Sequence, residues 1–358
     1  MRILIAIDSM HDGGAARVVS VLANQLAEFG HSIYLGTNLT TRPVSYELHK
    51  NITLFNIYSA NHASQNKLGR LYSHVSLIRN AINKYNIEVV IGQMENALLY
   101  CLLATIGKNI PVIGHRHTSF HILGIRRDER IVYNWADACI LLNKVDSRWL
   151  GDKIKNKYVI YNPCTYPIID IPQNKREKVI AVVGSLERWE QKGFDIMLDI
   201  WKDIEKKYPD WQLKIVGGGP EERVKSIRDY AGALGVSKRV IFTGYTKKVN
   251  EILQNASIYA LPSRLEGFPM TLVEAVSQGC ACVAFELDGL IPEIYSEKAV
   301  LPVPDGDKTH FTNVLERLMN DENLREEMRI CAQREILQYS SQNIGHQWER
   351  LFNKLVKK

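Results

Sequence analysis

The chain has 358 residues and contains no apolar run long enough to cross a bilayer. Its longest apolar stretch, Ala97 to Ile106, falls well short of the roughly 20 residues that a spanning helix needs. The apolar run at the start ends at Asp8, which leaves too little length for the core of a secretory signal. The six cysteines lack the spacing of a disulfide framework or a zinc site. These absences predict a cytoplasmic protein.

Two further absences argue against a nucleic-acid partner and against a metal site. Basic residues are not interleaved with aromatic ones as in nucleic-acid-binding modules, so we expect no nucleic-acid partner. The only Asp-x-Asp pair, Asp305 and Asp307, precedes a helical pattern, and we interpret it as a turn followed by an N-cap. His115 and His117 have no third ligand at a suitable spacing. No metal site is therefore predicted.

The charge that is present is unevenly placed. Residues 1–170 contain 18 Lys/Arg and 12 Asp/Glu, so the whole net charge of +6 belongs to this part. Ordinary solvated faces would explain most of these residues singly. An anionic membrane surface would explain the asymmetry, since each basic residue near acidic lipid contributes about 1 kcal/mol. Both interpretations stay open, and the second predicts peripheral contact of this part with the inner face of the plasma membrane.

Strand-like and helix-like segments alternate along most of the chain, a pattern typical of parallel α/β layers. A break rich in proline and polar residues lies within 162–176. The sequence therefore predicts two α/β domains, 1–170 and 175–339. An amphipathic helix follows at 340–358.

The segment 261–279 carries the strongest functional signal. It places Glu266 and Glu274 eight positions apart, between a strand-like run and a helical pattern. The turn between them has the sequence Gly267-Phe268-Pro269. Residues that follow a parallel strand lie where open α/β sheets bind ligands. Solvated acids on a surface turn would not require this turn sequence, so we predict a binding site.

This segment resembles the E-x7-E signature of the retaining family-4 glycosyltransferases, and Arg264 belongs to the matching lead sequence. The resemblance implies the GT-B fold, in which two Rossmann-like domains face each other across a cleft. It implies that the last helix, 340–358, completes the first domain. It also implies that Glu266 contacts the donor sugar and stabilises positive charge at the anomeric carbon, while Glu274 accepts hydrogen bonds from the ribose hydroxyls.

Two loops of the first domain extend the resemblance. Gly13 and Gly14 follow the first strand and precede a helix, where family members contact the donor diphosphate and the acceptor. A helix N-terminus favours an anion, although such a glycine pair often serves only the turn. His117 matches the family histidine beside the donor sugar, and His115 is the alternative if the register slips.

Two loops of the second domain extend it further. Gly184 and Lys192 match a family motif whose lysine and arginine bind the diphosphate, but Ser185 stands where the arginine is usual. Arg188 is our preferred substitute, with Arg264 as a second candidate. The glycines that the resemblance places near the nucleotide follow the next strand: Gly217 and Gly218.

The sequence thus predicts a retaining glycosyltransferase in surface polysaccharide assembly. It would move a hexosyl or N-acetylhexosaminyl unit from a UDP-sugar to a saccharide or lipid-linked saccharide acceptor. The predicted catalytic residues are Glu266, His117 and Lys192, with no cofactor besides the donor. Two alternatives remain: a sugar-nucleotide epimerase of similar fold and a non-catalytic sugar-nucleotide-binding protein, which the departure at Ser185 would favour.

Overall fold

The computed structural model describes residues 1–11, 13–40, 43–59, 66–236 and 238–356. They form two compact units, one of residues 1–165 with 339–358 and one of residues 166–338. Each unit contains a single parallel sheet between helices. The predicted α/β class with two Rossmann-like domains is confirmed.

The first unit has a seven-stranded sheet. Its strands are β1 Arg2–Ala6, β2 Ser32–Thr37, β3 Ile52–Asn56, β4 Val89–Gln93, β5 Val112–His115, β6 Ala138–Leu141 and β7 Lys157–Val159. Their order across the sheet is β3-β2-β1-β4-β5-β6-β7, which is the Rossmann order with one strand added. The order reverses between β1 and β4, so the ligand-binding switch point of this sheet lies at the carboxyl ends of those two strands.

Helices cover both faces of this sheet. Those before residue 165 are α1 Gly14–Glu28, α2 Lys67–Tyr85, α3 Met94–Ala104, α4 Phe120–Leu123, α5 Arg127–Trp135 and α6 Lys144–Leu150. In α1 the residues Val18, Val19, Leu22 and Leu26 recur at helical spacing, and all four are buried. That apolar stripe is what fixes α1 against the sheet.

The second unit has a six-stranded sheet in the order β10-β9-β8-β11-β12-β13, again the Rossmann order. Its strands are β8 Glu177–Val183, β9 Gln212–Val216, β10 Val240–Gly244, β11 Ala256–Leu261, β12 Ala281–Phe285 and β13 Val300–Val303. Its helices are α7 Phe194–Ile204, α8 Glu221–Ala233, α9 Val249–Asn255, α10 Met270–Ser277, α11 Leu290–Ile294, α12 Lys308–Asn320 and α13 Glu322–Glu335. The switch point here lies between β8 and β11.

The last helix, α14 Ser341–Val356, belongs to the first unit and packs beside α1. Its apolar face joins the core that contains β1 and α1. The residues of this face that the sequence pattern singled out are all buried: Trp348, Leu351, Phe352 and Leu355. Burying each such side chain contributes about 1.5–3 kcal/mol, which is ample to anchor a helix of this length.

No helix within the described ranges is long and apolar enough to cross a membrane. All six cysteines are free thiols, and burial raises the pKa of Cys280 to about 11. Such thiols stay protonated and behave as small apolar side chains.

Candidate functional site

A charged pair lies at the switch point of the second sheet. Lys192 Nζ is 2.8 Å from Glu266 Oε1, and both side chains are largely buried. The buried Ser263 hydroxyl donates a second hydrogen bond of 2.8 Å to the same carboxylate oxygen. Lys192 comes from the loop after β8, whereas Ser263 and Glu266 come from the loop after β11. Adjacent parallel strands bring these loops together, and two hydrogen bonds to one oxygen fix the orientation of the Glu266 carboxylate.

Arg264 is engaged by a different carboxylate. Its two terminal guanidinium nitrogens donate to the two oxygens of Asp195 over 2.8 and 2.6 Å. This bidentate contact raises the pKa of Arg264 and ties the loop after β11 to the first turn of α7. The backbone N–H of Arg264 also donates to the carbonyl of Gln191 over 2.8 Å. Lys192 and Arg264 are therefore held by separate acids, Glu266 and Asp195.

Glycines allow the loops at this switch point to touch. A Cβ on Gly193, which has φ of 67°, would lie 1.8 Å from the carbonyl oxygen of Pro262. A Cβ on Gly217 would lie 1.8 Å from the carbonyl oxygen of Gly184. Neither distance is compatible with any side chain. Backbone therefore packs on backbone at two of the predicted binding glycines, Gly184 and Gly217. At the third, Gly218, a Cβ would clash with Tyr245.

Gly193→Ala is expected to destabilise the protein because it adds both a strained backbone conformation and a clash with backbone. Overpacking costs about 1–3 kcal/mol and the left-handed conformation about 1–2 kcal/mol. The melting temperature measured by differential scanning fluorimetry should fall by roughly 5–15 °C. Gly14→Ala is the matched control, because a Cβ there meets nothing within 4 Å, and it should leave the melting temperature within about 2 °C. Equal melting temperatures for the two variants would contradict the close approach at Gly193.

The second glutamate of the pair is buried. Glu274 lies on α10 and is 4% exposed, and the turn before it buries Phe268 and Pro269. Burial raises the pKa of Tyr259, and the charges of Glu266 and Glu274 add to this rise. Gly267, between them, is partly exposed.

Ser185, which stands where the resembling motif has an arginine, has a local structural role. The Ser185 hydroxyl accepts a hydrogen bond of 3.3 Å from the N–H of Glu187. Arg188, the preferred substitute, is exposed at the end of a short 3-10 turn. Arg223 on α8 reaches the same loop, where its Nε donates to the carbonyl of Glu187 over 3.2 Å and its guanidinium pairs with Glu190. Arg223 was not among the predicted site residues, because a helix residue in an ordinary polar pattern gives no signal.

The glycine loop of the first unit ends at the start of α1. Gly13 is the N-cap with φ of 145°, a value that strongly favours glycine, and its N–H donates to the Tyr46 hydroxyl over 3.1 Å. Gly14 is the first helical residue and has open space at its Cβ position. The loop therefore exposes backbone, and only Gly13 needs to be glycine for conformation. Asp12, beside it, lies outside the described residues.

His117 follows β5 and contacts the end of β4. Its Nε2 is 2.8 Å from Gln93 Oε1, and its backbone N–H donates to the sulfur of Met94 over 3.3 Å. Burial lowers the pKa of His117 to about 4, so the ring is neutral at neutral pH. His115, the alternative, is 2% exposed, and its ring centroid lies 5.3 Å from that of Trp348 in the core. Of the two, His117 is the more accessible.

A strained turn follows β12. Leu287, Asp288 and Gly289 all have positive φ, of 53°, 56° and 85°. The two carboxylate oxygens of Asp305 accept the N–H groups of Leu287 and Asp288 over 2.7 and 3.0 Å. The N-cap predicted at Asp307 is confirmed, since its side chain accepts from the N–H of His310 over 2.9 Å. Asp305, predicted only as part of a turn, therefore also holds the backbone of the turn after β12, which the sequence did not indicate.

These features define a two-domain α/β protein with Rossmann-type sheets. In the second unit, charged and glycine-rich loops meet at the switch point of the sheet, which is where such sheets bind ligands. Residues 169–335 match the family model described as glycosyl transferases group 1. Residues 12–164 match the model of glycosyltransferase family 4. The chain belongs to this family of glycosyltransferases.

Two sequence relatives and one solved structure illustrate the similarity. An uncharacterized glycosyltransferase of Haemophilus influenzae is 30% identical over 296 residues, which is 80% of each chain. A Campylobacter jejuni protein is 23% identical over 98% of each chain, and its name gives it as a GalNAc-α-(1→4)-GalNAc-α-(1→3)-diNAcBac-PP-undecaprenol α-1,4-N-acetyl-D-galactosaminyltransferase. The Anabaena protein HepE in complex with UDP is 18% identical, with a TM-score of 0.79 over 99% of this chain and 100% of that one. The last similarity concerns the fold alone.

Proposed function

We propose that the protein is a retaining glycosyltransferase with a UDP-sugar donor. It transfers a hexosyl or N-acetylhexosaminyl unit to a saccharide or lipid-linked saccharide acceptor in the assembly of a bacterial surface polysaccharide. Membership of the family supports transfer. The Campylobacter relative, named for an undecaprenol-linked saccharide, supports the acceptor class, and HepE with bound UDP supports the nucleotide.

The observation that carries this proposal is the contact of Lys192 with Glu266 at the switch point of the second sheet. Lys192 immediately precedes Gly193 and the N-terminus of α7, a position that favours an anionic group. A diphosphate there gains the lysine charge together with backbone N–H groups. Glu266 then lies beside the sugar attached to that diphosphate. One contact thus supplies a positive group for the leaving phosphate and a negative group for the anomeric centre.

The chemistry follows from these charges. The bond between the anomeric carbon and the diphosphate oxygen breaks, and a bond to the acceptor hydroxyl oxygen forms on the same face. The acceptor's proton passes to the departing phosphate, which Lys192 stabilises. Glu266 stabilises the positive charge that develops at the anomeric carbon, and no step requires it as a base. For His117, Gly13 and Gly14 of the first unit, the proposed donor contact rests on the sequence resemblance alone.

Glu274→Gln should weaken UDP binding without removing it, because a charged acceptor for the ribose hydroxyls becomes neutral. We expect the Kd for UDP from titration calorimetry to rise about tenfold, close to 1.4 kcal/mol. The wild-type protein should bind UDP more tightly than GDP or ADP. Unchanged UDP affinity in Glu274→Gln would remove Glu274 from the ribose site. Tighter binding of GDP or ADP would overturn the choice of UDP.

A second part of the proposal concerns the membrane. One surface of the first unit combines exposed apolar and basic side chains, and we call it the α5 face: Arg127, Arg130, Ile131, Trp135 and Lys153. Ile131 and Trp135 are 62% and 49% exposed. Arg130 Nε donates to the Lys153 carbonyl over 3.2 Å, which joins the helix to the neighbouring loop. Indole rings favour the headgroup region, and basic side chains favour anionic lipid.

The α5 face should bind anionic vesicles at low salt. In co-sedimentation with vesicles of phosphatidylglycerol and phosphatidylcholine, Trp135→Ser combined with Ile131→Ser should lower the bound fraction at least about fivefold. The matched control is Ile330→Ser, which changes an isoleucine of α13 in the second unit that is 41% exposed. It should bind like the wild type. A wild-type protein that ignores such vesicles would contradict the membrane contact.

A further inference from the structure

Gln93 and Met94 contact the same histidine from the end of β4. The registers of β4 and β5 pair Gln93 with His115, so the loop that carries His117 begins directly beside Gln93. The Gln93 side chain reaches the imidazole and the Met94 sulfur reaches the backbone N–H of His117. Two consecutive residues therefore fix both the ring and the main chain of one residue on the neighbouring loop.

We propose that Gln93 and Met94 are positioning residues that hold His117 as one neutral tautomer, with hydrogen on Nε2 and with Nδ1 as the acceptor. This inference rests on the proposed function, because it assumes the predicted place of His117 beside the donor. It adds a reason why the histidine acts as an acceptor.

The hydrogen bond decides the tautomer. A carbonyl oxygen only accepts, so with Gln93 Oε1 at 2.8 Å the hydrogen lies on Nε2 of His117, while the Gln93 amide nitrogen has no hydrogen-bond partner among the described residues. Nδ1 is then an acceptor, and within the described residues it is buried without a hydrogen-bond partner. Buried polar atoms without a partner are rare in folded proteins.

The backbone of Met94 is held in an uncommon conformation. Its φ is 63°, and non-glycine residues with such values cluster where a site requires them. The chain just before it packs closely against α3, since a Cβ on Gly92 would lie 2.4 Å from the Cα of Leu98. From this backbone, the Met94 sulfur accepts the N–H of His117.

The inference is tested by long-range proton–nitrogen NMR of the protein labelled with ¹⁵N-histidine, with His117→Gln used to assign the ring. In the wild type, His117 should show a protonated Nε2 and an unprotonated Nδ1. Gln93→Met removes the acceptor at nearly equal volume, so the two tautomers should mix. Gln93→Glu keeps the acceptor and should keep the tautomer. An unchanged His117 spectrum in Gln93→Met would overturn the proposal.

Steady-state kinetics test the positioning role of Gln93 separately, because a residue with a purely structural role would leave kcat unchanged. Gln93→Met should lower kcat for transfer about tenfold, while KM for the donor changes less than threefold. In Gln93→Glu the new carboxylate should raise the pKa of His117, so kcat should rise with pH until the ring is neutral. The other ionisable groups around the ring are His115, at 4.2 Å between centroids, and Arg116, which is paired with Glu95 and Glu129. All of them remain in both variants.

The two tests separate this inference from the proposed function. A single Nε2–H tautomer that depends on Gln93, in a protein without transferase activity, would support the positioning role and contradict the proposed function. Transfer that continues at the wild-type rate in Gln93→Met would contradict the positioning role alone. The melting temperature of each variant should stay within a few degrees of the wild type, which excludes unfolding as the cause of either result.

Discussion

Glu266→Gln is expected to lower kcat for sugar transfer by about 100- to 1000-fold, while the Kd for UDP changes less than threefold. The substitution removes the negative charge that we propose faces the anomeric carbon and keeps the shape of the side chain. Glutamine still accepts hydrogen bonds from Lys192 and Ser263 through its carbonyl oxygen, so the loop after β11 should keep its conformation. Steady-state kinetics and titration calorimetry with UDP measure the two quantities.

Glu251→Gln is the matched control for this prediction. Glu251 also pairs with a lysine, Lys248, over 3.1 Å, but that pair is exposed on α9. Exposed ion pairs contribute little, and this variant should have wild-type kcat. A kcat in Glu266→Gln within threefold of the wild type would show that Glu266 does not face the reacting carbon.

Lys192→Met should lower kcat/KM for the donor by at least about 100-fold, with loss in both kcat and UDP affinity. A lysine that binds the diphosphate acts on bound nucleotide and on the departing phosphate alike. Ser185 offers no charge where an arginine is usual, and Arg264 is held by Asp195. Methionine keeps the length of the stem, so the aliphatic packing of Lys192 is largely retained.

The partner of Lys192 allows a sharper test. Lys192→Met leaves Glu266 with the hydrogen bond from the Ser263 hydroxyl but without its positive partner, so part of the loss comes from a carboxylate that has lost its ion pair. In a double-mutant cycle with Glu266→Gln, the two losses in kcat should combine to less than their product. Lys248→Met is the exposed control. Independent losses that multiply fully would mean that the contact of 2.8 Å has no part in catalysis.

Much of the fold follows from patterns within the sequence. The helix with the clearest period, α14, was predicted close to where it is observed. The strands β7 and β13, of three and four residues, were not predicted from the sequence. β13 also contains Pro302, which cannot donate to a sheet ladder and is tolerated because this strand lies at the edge.

The candidate site could be proposed from the sequence where its residues lie in one short segment. Glu266, Glu274 and the glycine turn between them stand together in the sequence, and Lys192 has its own motif. Other residues are oriented by partners that come from elsewhere in the chain. Gln93 is 24 residues from His117, and Asp305 is 18 residues from Leu287. Such contacts depend on which strands are neighbours in the sheet, and no local period encodes that.

Glycosyl transfer is tested most directly by mass spectrometry of a reaction that contains the purified protein, a panel of nucleotide sugars and lipid-linked oligosaccharide acceptors. Free UDP should be released together with an acceptor that is heavier by one hexosyl or N-acetylhexosaminyl unit, and NMR of this product should show the anomeric configuration of the donor. Glu266→Gln should form both products at least about 100-fold more slowly. An altered sugar nucleotide formed without any acceptor would identify an epimerase. Tight UDP-sugar binding with no change in any mass would identify a binding protein, and either result would contradict transfer.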